Sequence, residues 1–167
     1  MAAALAGAAA LSQMSTMTQT DTLWGLPDPD TQSEFYADVP VKRFIAWIVD
    51  AVIIFATALL ISLLTIGIGF FFFGFLVIAI AFVYRTVSLA NRSATLGMRL
   101  AAIELRNHRG ERFDLPTAAL HTLGYQVSMS MVVPQIISIV LMLTSARAQG
   151  LTDHALGTAA LNMTARG

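Results

Sequence analysis

The chain has no cysteine, which excludes disulfides, thiolate metal sites and cysteine nucleophiles. It is also poor in charge. Of 167 residues only 12% are Asp, Glu, Lys or Arg, half the roughly 25% usual for a soluble domain. No basic residue precedes Lys42. Histidine is confined to His108, His121 and His154, and these form no zinc-ligand spacing. No Ser/His/Asp arrangement and no paired acidic motif is present, so neither an enzyme nor a cofactor or metal site is expected. What fills the space is apolar: 56% of the residues are hydrophobic and the mean hydropathy is +0.70. That balance belongs to membrane proteins, and the length allows one domain.

Net charge is zero, but the signs are segregated. Asp21, Asp28, Asp30, Glu34 and Asp38 precede any base. Lys42 and Arg43 stand just before the first long apolar run. Arg85, Arg92, Arg99, Arg106, Arg109 and Arg112 then face only Glu104, Glu111 and Asp114 between 85 and 114. Such clustering beside apolar runs is a topology signal.

Residues 1–40 are expected to form a disordered acidic tail, 41–161 a transmembrane domain and 162–167 a short C-terminal tail. The Ala-rich opening, Met1 to Leu11, has no basic n-region and is not read as a signal peptide; Met14 and Met17 are alternative starts. Pro27 and Pro29 bar a helix through the tail. Trp24, Phe35 and Tyr36 are the tail's candidates for docking on the membrane or the protein.

The spacing predicts a first transmembrane helix over Phe44–Thr65, a very short turn at Ile66–Gly69 and a second helix over Phe70–Leu89. Each is long enough to cross about 30 Å at about 1.5 Å per residue. The short turn forces an antiparallel hairpin. Bases flank both outer ends, so the positive-inside rule places both, and the N-terminus, on the cytoplasmic side of a bacterial inner membrane. The polar stretch after the second helix is expected to form a β-hairpin, with a strand over Arg99–Leu105, a turn at Asn107–Gly110 and a return strand. Its Arg92, Arg99, Arg106, Arg109 and Arg112 would meet anionic lipid head groups. Leu115–Thr144 is apolar but interrupted at Pro134. It reads either as an interfacial helix leading into one span, the preferred reading, or as a short hairpin broken near Pro134. The first leaves the C-terminus outside; the second returns it to the cytoplasm. The fold class is therefore all-α membrane: a helical hairpin, a polar segment and one or two further membrane helices.

Asp50 is the most informative residue, because a carboxylate within a transmembrane helix costs at least about 2.5–3.5 kcal/mol near the centre and needs a partner or a task. Arg43 lies seven residues earlier on the same helix face, with Trp47 between them. Counting outward from Gly67 brings Arg85 to the same depth on the facing helix. An Asp50–Arg85 ion pair follows, with Tyr84 or Ser88 able to add hydrogen bonds. Lys42, Arg43, Asn91 and Arg92 would form a second layer. Such a pair fixes hairpin register; the other readings are proton or cation binding at Asp50, or recognition of a head group or partner. The Gly67-Ile-Gly69 run with Gly74 reads as a turn and close helix crossing rather than a phosphate loop. Asp153-His154 reads as a surface or capping pair rather than half a metal site.

Three segments together resemble the RDD family of bacterial membrane proteins, named for an arginine and two aspartates. Arg43-Phe-Ile-Ala-Trp-Ile-Val-Asp50 is similar to its opening motif. Thr95-Leu-Gly-Met-Arg99 is similar to its Thr-x-Gly-Lys-Arg segment, and Gly150-Leu-Thr-Asp-His-Ala-Leu-Gly-Thr158 to its closing segment. The resemblance implies that Arg43, Asp50 and Asp153 are the family's named residues, with Thr95, Gly97, Arg99, Gly157 and Thr158 supporting them. It also implies a link to transport, since some members are associated with sodium/proton exchange. Met98 stands where the family usually has Lys, and His121 near where an Arg is common. Both departures remove positive charge and count against an anion or lipid site there.

Two functions follow as expectations. One is a non-enzymatic inner-membrane protein acting by association, as an accessory or assembly component or as a homo-oligomer. The other is a subunit of a cation/proton transporter using Asp50. An arginine at the depth of Asp50 would hold that acid ionised and favours the first.

Overall fold

Pro40 has no N–H to donate, so it suits a first helical turn, where that donor would have no partner. It opens helix α1, Val39–Leu64, in the computed structural model, which describes residues 25–163. At 26 residues α1 is about 39 Å long. The chain reverses through Ile66 and Gly67, both at positive φ, and a 3-10 turn over Ile68–Phe72. It returns as α2, Phe73–Arg92. A Cβ on Gly69 would fall 2.7 Å from the Ser62 Cα, so glycine there lets the turn close on α1. Gly74 meets nothing within 4 Å, so the expected close crossing lies at Gly69 alone.

The polar segment differs from the expected hairpin. Thr95 caps a short helix α3, Leu96–Leu100, its side chain accepting from Met98 N. Strand β1, Ile103–Arg106, does not pair with a return strand after Asn107. Its antiparallel partner is β2, Ala159–Asn162, with Ile103 opposite Asn162 and Arg106 opposite Ala159. The intervening residues fold back as a turn in which the Asn107 side chain accepts from Arg109 N and Glu111 N. Every residue of both strands is buried.

Asp114 caps α4, Leu115–Ser130, by accepting from Thr117 N. Pro134 cannot donate to the Ser130 carbonyl and its ring crowds that oxygen. The helix therefore breaks at an extended Met131 and restarts as α5, Val132–Thr144. The two axes differ by 115°. At about 24 Å and 20 Å neither arm alone matches a 30 Å core. The strands that flank the bent pair are themselves paired, so the chain enters and leaves it at one end of the molecule. The bend falls near Pro134, where the sequence is interrupted, and the pair is either one broken span or a re-entrant segment.

After α5, helix α6, Leu151–Leu156, and β2 complete the chain. The tail is also corrected for residues 25–40. Leu26 and Tyr36 are buried against Ala159 and Leu161, and the Tyr36 hydroxyl donates to the Pro27 carbonyl at 2.7 Å. Asn162 donates to the carbonyls of Glu34 and Ala37 and accepts from Lys42 Nζ at 2.8 Å. These contacts tie the start of α1 to the C-terminal strand and carry the domain past residue 161. The Ala-rich opening, Asp21, Trp24 and residues 164–167 lie outside the described residues.

Among the described residues, two helices are long and apolar enough to cross a membrane, and the bent pair makes a third candidate. Their outer faces are largely bare. Val52, Phe55, Leu59, Leu63, Phe75, Ile78 and Val83 are all exposed, an apolar surface far larger than soluble monomers carry.

Candidate functional site

The buried polar groups collect where the outer end of the α1–α2 hairpin meets α3, α4 and α6. They form two clusters on one face of α1.

The first is built on Asp50, 1% exposed. Tyr84 OH donates to its Oδ1 at 2.7 Å, Gly97 N to the same oxygen at 3.0 Å, and Thr95 Oγ1 to Oδ2 at 2.7 Å. Arg85 Nη1 stands farther off, at 3.8 Å from Oδ2. The structure thus brings Arg85 to Asp50 as a charge neighbour, while the hydrogen bonds come from Tyr84, Thr95 and Gly97. Ser88 makes no bond to Asp50. Gly97 is required sterically, because an added Cβ would run into the Ala46 carbonyl oxygen of α1. The Thr-x-Gly spacing therefore docks α3 on α1 through one hydroxyl and one amide.

The second cluster is built on Asp153, which is fully buried. Arg43 Nη1 pairs with its Oδ2. His121 Nε2 lies 2.8 Å and Thr158 Oγ1 2.9 Å from Oδ1, and Gly150 N donates to Oδ2 at 3.0 Å. Phe113 packs against the His121 ring at 5.4 Å between centroids. Burial on its own pushes the Asp153 carboxyl up; the Arg43 charge and the His121 hydrogen bond outweigh it and hold the group well below the usual carboxylate range. Gly157 ends α6 at φ +65°, a conformation open to glycine at little cost, and this delivers Thr158 back to Asp153. His154 turns to the Gly150 carbonyl and takes no part. Asp153 is accordingly not a surface residue, but the capping reading holds for it: by accepting from Gly150 N it caps the start of α6.

Arg43 and Asp50 share a face of α1 but not a bond: Arg43 pairs with Asp153, while the partners of Asp50 come from α2 and from Thr95 and Gly97. Arg99 and Arg92 are exposed. Arg109 and Arg112 are exposed too, Arg109 beside Glu111 at 3.0 Å. Arg106 departs from the expected lipid-facing set. It is buried with Glu104, whose Oε1 accepts from its Nε at 3.1 Å and Nη2 at 2.6 Å. The two lie two residues apart on one face of β1, and that face is covered.

Between the clusters lies a cavity of about 630 Å³, bounded by α1, α2 and the bent α4–α5 pair. Arg43, Asp50, Arg85, His121 and Asp153 line one side of it, and Trp47, Met129, Ile139, Met142 and Leu143 much of the rest. Arg85 also lies over the Tyr125 ring, 4.6 Å from its centroid.

The model of the RDD family matches residues 38–157. The chain belongs to the RDD family. Together with its apolar helices, that makes it a small membrane protein. The match takes in Arg43, Asp50, Thr95, Gly97, Arg99, Asp153 and Gly157, and stops one residue short of Thr158. No curated protein and no solved structure matches the chain. Two partners of this RDD domain escape sequence reasoning. His121 sits 32 residues from Asp153, and only its place on an apolar helix marks it. The Gly97 bond uses a backbone amide, which no side-chain pattern announces.

Proposed function

We propose that this RDD protein is a non-enzymatic component of the bacterial inner membrane that acts by association, as an accessory or assembly subunit of a larger complex or as a homo-oligomer. One observation carries the reading. Each oxygen of both family carboxylates is engaged by donors from within the chain. A coupled transporter needs an intramembrane acid that can exchange protons with its surroundings, and both acids here are held in place by the fold. What the chain offers outward is surface: bare apolar helix faces and a basic rim.

The rim supports the orientation. Lys42, Arg92, Arg99, Arg109 and Arg112 belong to the end that also carries β1, β2 and α6. By the positive-inside rule that end is cytoplasmic, and its exposed arginines lie at the depth of anionic head groups.

The test is the mass and composition of the protein extracted from native membranes in a mild detergent. The reading expects a stoichiometric protein partner or a defined oligomer of the 17.9 kDa chain. A lone monomer overturns it and moves weight to a transporter subunit using Asp50.

A further inference from the structure

Among the described residues, Arg85 is the buried base with no hydrogen bond. It is 8% exposed and carries five N–H groups, yet it makes no hydrogen bond to any described residue. Its contacts are the 3.8 Å approach to Asp50 and the face of Tyr125. None of its nitrogens is sealed off, so they remain accessible, and the side chain lines the cavity of about 630 Å³. The nearby carboxylate oxygens, by contrast, are all engaged. The unmet capacity of the site is therefore donor capacity, and it calls for acceptor oxygens.

The rest of the cavity calls for hydrocarbon. Met129, Ile139, Met142 and Leu143 of the bent pair and Phe44 of α1 wall it, and Phe44 and Leu143 are exposed on the outer apolar surface. A small soluble anion would satisfy Arg85 and leave these walls uncovered. The volume lies within the range of about 300–1,000 Å³ typical of small-ligand sites.

We propose that this cleft binds an amphiphile, with the oxygens of a carboxylate or phosphate head on Arg85 and an acyl chain along the bent pair. The site goes beyond the association reading and stands or falls without it. The head can come from a free fatty acid or from a phospholipid of the bilayer; both present the same chemistry to Arg85.

Trp47 lines the cavity and is one of two tryptophans in the chain, so a Trp24→Phe background makes it the sole reporter. The full chain in mild detergent is titrated with a brominated fatty acid, its methyl ester and a brominated phosphatidylglycerol, and quenching of Trp47 is followed. The acid, the phosphatidylglycerol or both should quench saturably, the ester about tenfold more weakly than the acid, because charge-assisted bonds to Arg85 are lost. The tighter of the two charged probes identifies the source. Arg85→Gln should erase the acid–ester difference. Met142→Phe, which fills the cavity, should weaken acid and ester alike. No saturable quenching by either charged probe overturns the proposal. So does equal affinity for acid and ester, or an Arg85→Gln protein that binds the acid as before. If Arg85→Gln does not fold, unchanged binding to Met142→Phe overturns it instead.

Discussion

The Thr95 hydroxyl donates to Asp50 Oδ2 at 2.7 Å while accepting from Met98 N at 3.2 Å. One side chain thus caps a short helix and fastens it to the acid of another. Removing the hydroxyl loses both. Thr95→Val should cost about 1 kcal/mol for the cap and about 1.5–3 kcal/mol for the bond to a carboxylate. Thr95→Ser should stay close to wild type. Thermal unfolding in detergent separates the two.

Gly97→Ala tests the same docking from the backbone side. Its Cβ would collide with the Ala46 carbonyl, and backbone cannot swing aside as a flexible side chain can. A loss of about 1–3 kcal/mol is expected, seen as a lower unfolding temperature. An unchanged temperature would mean that α3 is not seated on α1.

Exchanging the charges should fail. From sequence alone, Asp50→Arg with Arg85→Asp looks like a conservative reversal of an ion pair. In the structure position 50 faces three donors, Tyr84 OH, Thr95 Oγ1 and Gly97 N, and an arginine there offers only more donors. The double variant should accumulate no better than Asp50→Arg, by immunoblot of membranes. Recovery to wild-type levels would put the pair, rather than the acceptor, at the centre.

The hairpin was legible because its signals are local: long apolar runs, a glycine turn, and bases at both outer ends. Depth counting from Gly67 brought Arg85 and Tyr84 to Asp50, since helical rise is regular. The partner of β1 was not legible. Strand 103–106 is equally compatible with a neighbour after Asn107 and with residues 159–162, and the choice depends on where the bent pair returns the chain. That return depends on Pro134 acting as a break rather than a kink, which periodicity cannot decide. The tail misled for a similar reason: Leu26 and Tyr36 find apolar cover only once β2 is in place. Composition alone could not tell Arg106 from its exposed neighbours, because its burial follows from the sheet.

Acid should reveal Asp153. Its carboxyl is held below the usual range in the folded chain, so the unfolded chain binds the proton first. The stability this contributes is fully present above the ordinary carboxylate value of about 4 and is lost as pH falls through the lower, folded value. The stability gap between wild type and Asp153→Asn should therefore shrink only below about pH 4. Arg43→Gln, which strands the buried acid, should cost about 3–5 kcal/mol at neutral pH. A gap that closes between pH 7 and pH 5 would contradict the assignment.

The absence of cysteine makes topology directly testable. Single cysteines at Ile66, His108 and Ala155 are probed with a membrane-impermeant thiol reagent in intact cells and in inverted vesicles. His108→Cys and Ala155→Cys should react from the cytoplasmic side and Ile66→Cys from the opposite one. If Ala155→Cys reacted with Ile66→Cys, α4 and α5 would form a single crossing.

The most direct test of the account is ion flux. Its central claim is that Asp50 serves the fold and is not a coupling acid. Purified protein is reconstituted into vesicles, and sodium- or potassium-driven proton movement is followed for wild type and Asp50→Asn. The account predicts that wild-type vesicles move protons no faster than protein-free ones. A wild-type flux that disappears in an Asp50→Asn protein with its fold intact would contradict it.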